Sequence, residues 1–217
     1  MRSLAAWLWL VEFTSTARAL DASETPGDLA EALKGHFNAV DILRPDASAL
    51  RQVEALAESQ GWTANSLTVG SIRAAPWPAE TFDCIALHDA LVGTSRDATD
   101  TLAVLTSLRA VLKSGGWLAV GSPNPGVLGG RRAGARGIAR GRLSRLLRRA
   151  RFRDVRCLFV EPSLEYPATL VPDAIHAIDA YEASSAMHGA RAWARRSAAR
   201  LGLRSMLYPA YFLLARA

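Results

Sequence analysis

His88 and Asp89 stand side by side directly after a short apolar run, Cys84 to Leu87. A histidine beside a carboxylate at the end of a buried strand can take a proton from a hydroxyl or amine acceptor. The same two residues read equally well as an ordinary solvated loop pair, and their types alone leave both readings open. The other histidines, His36, His176 and His188, are scattered. None has a cysteine or carboxylate at metal-ligand spacing, so no metal is expected. Neither a phosphate-cradling P-loop nor a G-x-S-x-G nucleophile turn occurs. Ser122-Pro123-Asn124-Pro125 could line a ligand site, though prolines and asparagine also punctuate loops.

The elements that would position His88 and Asp89 are legible around them. Asp83 leads into Cys84–Leu87, short and apolar enough for a strand buried on both faces. Leu102, Leu105, Leu108, Val111 and Leu112 then recur at helical spacing, behind Asp97 and Asp100, either of which could be the N-cap. Ser114-Gly115-Gly116 reads as the helix stop. Trp117 to Val120 follows as a second apolar strand, broken by Gly121, Pro123 and Pro125. Strand, helix and strand in this order make one right-handed unit of a parallel sheet.

Three stretches of this unit carry a resemblance: Pro76 to Ile85 (PWPAETFDCI), Leu108 to Val120 (LRAVLKSGGWLAV) and Ser122-Pro123-Asn124. Their order resembles the second half of class I S-adenosylmethionine-dependent methyltransferases. The resemblance implies an α/β, Rossmann-like doubly wound fold, a mainly parallel seven-stranded sheet with helices on both faces. It also implies a last strand inserted antiparallel between the fifth and sixth, here Tyr208 to Ala215. S-adenosylmethionine is the implied cofactor.

Matched residue by residue, the resemblance sets Asp21 at the acid closing strand one and Gly27 at the last glycine of the cofactor loop. Asp41 falls at the acid of strand two that takes the ribose hydroxyls, though it also reads as a plain strand acid. Ser23 and Thr25 replace the first two glycines, and a Cβ there crowds a tight turn. Gly70-Ser71 stands where the family often places an aspartate against the adenine. The implied cofactor-binding set is therefore Asp21, Ser23, Gly27, Asp41, Gly70 and Ser71; His88 and Asp89 remain the candidate catalytic pair on their own chemistry.

The remaining chain alternates strands and helices and reads as one domain over 1–217, with a helical insertion over 161–206 before the last strand. Residues 4 to 14 read as a leading helix whose Trp7-Leu8-Trp9 packs on the sheet, and Trp193 reads as core. Arg2, an apolar Leu4 to Val11 and Ala17-Arg18-Ala19 imitate a secretory signal, but Glu12 and Arg18 are misplaced for one. No apolar run approaches the roughly 20 residues that span a bilayer. Cys84 and Cys157 both fall in strands and read as buried thiols, which favours a cytoplasmic location.

The net charge of +6 is uneven, because eleven arginines and one acid, Asp154, lie between Arg131 and Arg156. Residues 126–141 read as a glycine-rich loop, while Arg142, Arg145, Arg148 and Arg149 face away from Leu143, Leu146 and Leu147 on a surface helix. That face reads as solvated, or as a patch for phosphate, nucleic acid or acidic partners. No aromatic residues are interleaved, so nucleic acid is not the expected partner. The expected function is methyl transfer to a small-molecule or glycan-type acceptor; the alternative is a non-catalytic binding or scaffolding relative that has lost the cofactor site.

Overall fold

The computed structural model describes residues 6–13, 17–24, 27–74, 76–89, 91, 98–127, 137–164, 166–184, 193, 195, 197–203 and 206–217. A short 3-10 helix, Ala6–Leu10, precedes β1 (Arg18–Asp21), α1 (Asp28–Lys34), β2 (Ala39–Arg44), α2 (Ala47–Gln60) and β3 (Ser66–Val69). After these come β4 (Phe82–His88), α3 (Ala98–Val111), β5 (Leu112–Pro123) and α4 (Arg140–Arg149). The chain closes with β6 (Arg153–Pro162), β7 (Pro167–Pro172), α5 (Ile175–Ser184) and β8 (Ala210–Arg216).

All eight strands form one sheet in the order β3-β2-β1-β4-β5-β8-β6-β7. β1 to β5 pair in parallel. β8 runs antiparallel between β5 and β6, as expected for the last strand. The strand count is eight rather than seven. β7 forms inside the stretch expected to be loop and helix, where Ala168 to Val171 presents β-branched and apolar residues to the open edge of β6.

Side-chain alternation sends each strand into two cores. On one face Ala19, Val40, Ile42, Cys84 and Ala86 pack under Leu29, Leu33 and Val53 of α1 and α2. On the other, Leu20, Leu43, Ile85 and Leu87 pack under Leu105, Leu108 and Leu147 of α3 and α4. Each fully buried leucine contributes about 1.5–3 kcal/mol.

Local chemistry sets the boundaries. Asp46 caps α2 by accepting from the Ser48 and Ala49 amides at 2.8 and 2.9 Å, and Gly61 ends it at φ 70°. The stop expected at Ser114-Gly115-Gly116 lies instead inside β5. α3 ends at Val111, and the pairing jumps from Phe82↔Leu112 to Cys84↔Trp117. Gly115, at φ 79°, makes this a bulge rather than a helix cap. Asp97 lies outside the described residues, and Asp100 sits in the first turn of α3, paired with Arg73.

The leading segment forms a single 3-10 turn rather than a helix over 4–14. Trp7 is fully buried but Trp9 is 78% exposed, which corrects the expectation that both pack on the sheet. Trp193 is likewise exposed rather than core. Of the two cysteines, Cys84 is buried and Cys157 half-buried. No helix among the described residues is long and apolar enough to cross a membrane.

Candidate active site

The carboxyl ends of β1, β2 and β3 open on a crevice lined by Ala22, Ser23, Glu24, Arg44, Gly70 and Ser71 among others. Open α/β sheets bind ligands at such an edge. The crevice holds about 130 Å³, below the roughly 300–1,000 Å³ of ordinary small-molecule pockets.

Arg44 closes it. The last residue of β2, it turns back across the end of β1, and its Nη2 donates to Asp21 Oδ2 at 2.7 Å with both side chains fully buried. Its Nη1 donates to the carbonyls of Asp21 and Leu43 at 3.1 and 2.9 Å. The other Asp21 oxygen accepts from the Ser23 amide at 3.0 Å and from the Ser23 hydroxyl. One donor is left over, since Arg44 Nε is buried with no acceptor among the described residues. A buried guanidinium tolerates desolvation only when paired and hydrogen-bonded, and this one is nearly so.

Asp41 does not reach the crevice. It lies in the middle of β2, paired in register with Leu20 and Ser66, and its side chain points to the opposite face from Arg44. Its carboxylate accepts from Arg18 Nε at 2.5 Å and Nη2 at 2.9 Å, from Asn65 Nδ2 at 3.0 Å and from the Ser66 hydroxyl. Burial pushes its pKa up, but the hydrogen bonds from Arg18, Ser66 and Asn65 and the Arg18 charge outweigh burial and hold it below the ordinary carboxylate range. The end of β2, where the resemblance implies a ribose-holding acid, therefore carries a cation. The carboxylate that lines the crevice is that of Glu24, at its mouth, where partial burial raises its pKa.

Of the other cofactor residues, Ser23, Gly70 and Ser71 line the crevice. Gly27 stands at the start of α1 with φ 112°. A Cβ there would meet Leu56 and Val53 of α2 at 3.2 and 3.3 Å, so its glycine serves the α1–α2 contact. Thr25 lies outside the described residues.

His88 ends β4 and is 1% exposed, its ring 4.9 Å from that of Phe212. Neither ring nitrogen has a hydrogen-bond partner among the described residues. Burial lowers its pKa to about 4, with Asp21 pulling in the other direction, so the imidazole is neutral at pH 7. Gly121 permits this packing, because a Cβ there would come within 2.7 Å of Phe212 and 2.9 Å of Leu164. Asp89 follows at φ 58°, its amide donating to the Gly121 carbonyl at 3.2 Å. Asn124 fastens its loop to the chain entering β8, donating to the Tyr208 carbonyl and accepting from the Gly126 amide.

A second polar group at the carboxyl end of β6 escaped the sequence reading. Arg195 bridges Glu161 and Glu182 at 2.9 Å each. The Tyr181 hydroxyl donates to Glu161 at 2.7 Å, and burial with that bond pushes its pKa up to about 12. The bonded pairs lie 13 to 34 positions apart along the chain, with no spacing that marks them as partners. Among the described residues no group of three or more His, Cys, Asp or Glu could hold a metal ion.

Residues 20–120, which run from the end of β1 through β4 to most of β5 and contain this crevice, match the family described as a methyltransferase domain. That stretch resembles a methyltransferase domain. Three solved structures share the fold of the whole chain. It is 12% identical to a SAM-dependent methyltransferase from Aquifex aeolicus, covering 98% of this chain and 88% of that one, with a TM-score of 0.66. It is 14% identical to phosphoethanolamine N-methyltransferase 2 of Haemonchus contortus in complex with S-adenosyl-L-methionine, covering 99% of this chain and 51% of that one, with a TM-score of 0.66. It is 18% identical to the [4+2]-cyclase SpnF, covering 94% and 75%, with a TM-score of 0.63. No curated protein matches the chain.

Proposed function

We propose that the protein transfers a methyl group from S-adenosylmethionine to a small-molecule or glycan-type acceptor at the carboxyl edge of β1 to β4. The observation that carries this reading is that the matched domain contains a crevice lined by hydroxyls and a carboxylate. Ser23, Glu24 and Ser71 would hold the cofactor's hydroxyls and ammonium group. When bound, the group supplies an electrophilic sulfonium methyl.

The chain's own part is to bind, orient and accept a proton. The ion pair must open for the crevice to widen, so Arg44 is a latch and Asp21 becomes a ligand-facing acid only when released. Asp89, at the carboxyl edge, takes the acceptor's proton. His88, with its depressed pKa, is a poor base at pH 7 and instead fills the sheet end against Phe212. Asp41 and Gly27 support the site from behind. Proximity and orientation supply most of the rate in such a transfer.

A second reading, a non-catalytic binding relative, is favoured by the same closed Arg44–Asp21 pair. The fold is also compatible with other chemistry, as the cyclase neighbour illustrates. Saturation-transfer NMR on S-adenosylhomocysteine separates the two. The methyl-transfer reading expects transfer to the adenine protons, competed away by S-adenosylmethionine. No transfer at millimolar ligand would leave the binding relative.

A further inference from the structure

A larger cavity than the crevice lies at the other end of the sheet. It encloses about 670 Å³ between α4, the amino half of β6 and the end of β7. Its polar side is Arg140, Arg145, Arg148 and Arg156, with Asp173 as the lone acid. Arg140 is paired with Asp173, and Arg140 and Arg156 lie over the rings of Phe159 and Trp117 at 5.8 and 5.5 Å. Arg145, Arg148 and Arg156 have no carboxylate partner among the described residues. The other side is apolar, formed by Leu10, Val155, Leu158, Pro172, Leu213 and Leu214. Leu10 is 47% exposed, and Ile175, next to the lining residue Ala174, is 38% exposed.

The sequence explains how one site carries both characters. α4 buries Leu143, Leu146 and Leu147 and turns its arginines outward. β7 ends at Pro172 and Asp173 makes the last backbone bond, to the Cys157 carbonyl, so the edge of β6 at Val155 and Arg156 is left uncovered beside the helix's cations. A purely solvated arginine face needs no such cavity.

We propose that this cavity binds a phosphomonoester carried on an apolar body. The phosphate, with about −1.5 to −2 charge at pH 7, would sit between Arg145 and Arg148. The apolar body would lie along Val155, Cys157 and Leu213, which share the α4 face of the sheet. Such a ligand comes either as a soluble amphiphile or as the headgroup of an anionic lipid, and the cavity chemistry is common to both. The site lies at the β6–β7 end of the sheet, away from the crevice at β1–β3, and does not depend on the methyl-transfer reading.

Cys157 lines the cavity and supplies a local reporter, since the other thiol, Cys84, is fully buried. Alkylation of Cys157 is followed by mass spectrometry with hexyl phosphate, inorganic phosphate or hexanol present. The expected result is protection by hexyl phosphate at a concentration at least about tenfold below that needed for inorganic phosphate, with none from hexanol. Arg145→Gln with Arg148→Gln, both exposed and outside the core, should weaken that protection by about tenfold or more while leaving the thermal midpoint unchanged. Flotation with phosphatidylcholine vesicles, with and without phosphatidic acid, assigns the source. Co-flotation only with phosphatidic acid points to the lipid, and its absence alongside hexyl phosphate protection points to a soluble amphiphile. Equal potency of phosphate and hexyl phosphate, no protection at all, or protection indifferent to the double substitution overturns the proposal.

Discussion

Arg44 and Asp21 form a fully buried ion pair at 2.7 Å that links the carboxyl ends of β2 and β1. A cation thus stands where a ribose-binding acid is implied, and it occupies the acid of the neighbouring strand. The pair has consequences for stability and ligand access.

Removing one partner of a buried pair strands the other. Arg44→Met should destabilise the fold by about 3–5 kcal/mol, and Asp21→Asn by a similar amount. The double variant should recover much of the loss, because neither charge then lacks a partner. Urea unfolding of the four proteins measures the coupling. Additive losses would mean that the two side chains do not act as a unit.

His88 predicts a stability slope of its own. Its folded pKa is lowered to about 4 from an ordinary 6.5, so the unfolded chain binds the proton first as pH falls. The contribution is fully present above pH 6.5 and is lost as pH drops towards about 4. The loss amounts to about 3 kcal/mol. Denaturant midpoints between pH 7.5 and 4.5 should flatten in His88→Phe relative to wild type, after allowance for the carboxylates common to both. Parallel slopes would place His88 in a solvated environment.

Asp41 behaves in the same direction at lower pH. Its folded pKa is depressed, so its stabilisation is present above the ordinary carboxylate pKa and lost as pH falls through the folded value. Asp41→Asn keeps the Ser66 and Asn65 contacts in part and loses the charge. Arg18 is one-third exposed, which discounts the ion pair, so the expected cost at pH 7 is about 1–2 kcal/mol. Acid unfolding monitored by circular dichroism should be less steep below pH 4 in the variant. An unchanged acid transition would contradict the assignment.

These residues also mark how far the sequence could be read. The Cys84–Leu87 and Trp117–Val120 runs are buried on both faces, and their apolarity alone identified them as central strands. The antiparallel seat of β8 followed from the resemblance. Asp41 misled because spacing along a chain does not reveal side-chain parity. One face of β2 carries Asp41 to Arg18, and the other carries Arg44 to Asp21. Arg44 gave no signal, since a charged strand-end residue ordinarily reads as solvated. β7 was missed because its strand depends on an open edge of β6 rather than on its own pattern.

The central claim is that Arg44 latches the crevice and that ligand entry requires its release from Asp21. Calorimetric titration of wild type and Arg44→Ser with S-adenosylmethionine and S-adenosylhomocysteine tests it most directly. Wild type should bind weakly, in the high micromolar range or above, since opening a buried pair opposes binding. Arg44→Ser should be less stable when free yet bind at least about tenfold more tightly, because the latch is gone and Asp21 faces the ligand. Low-micromolar binding by wild type that is lost in Arg44→Ser would contradict the account and make Arg44 a direct ligand contact instead.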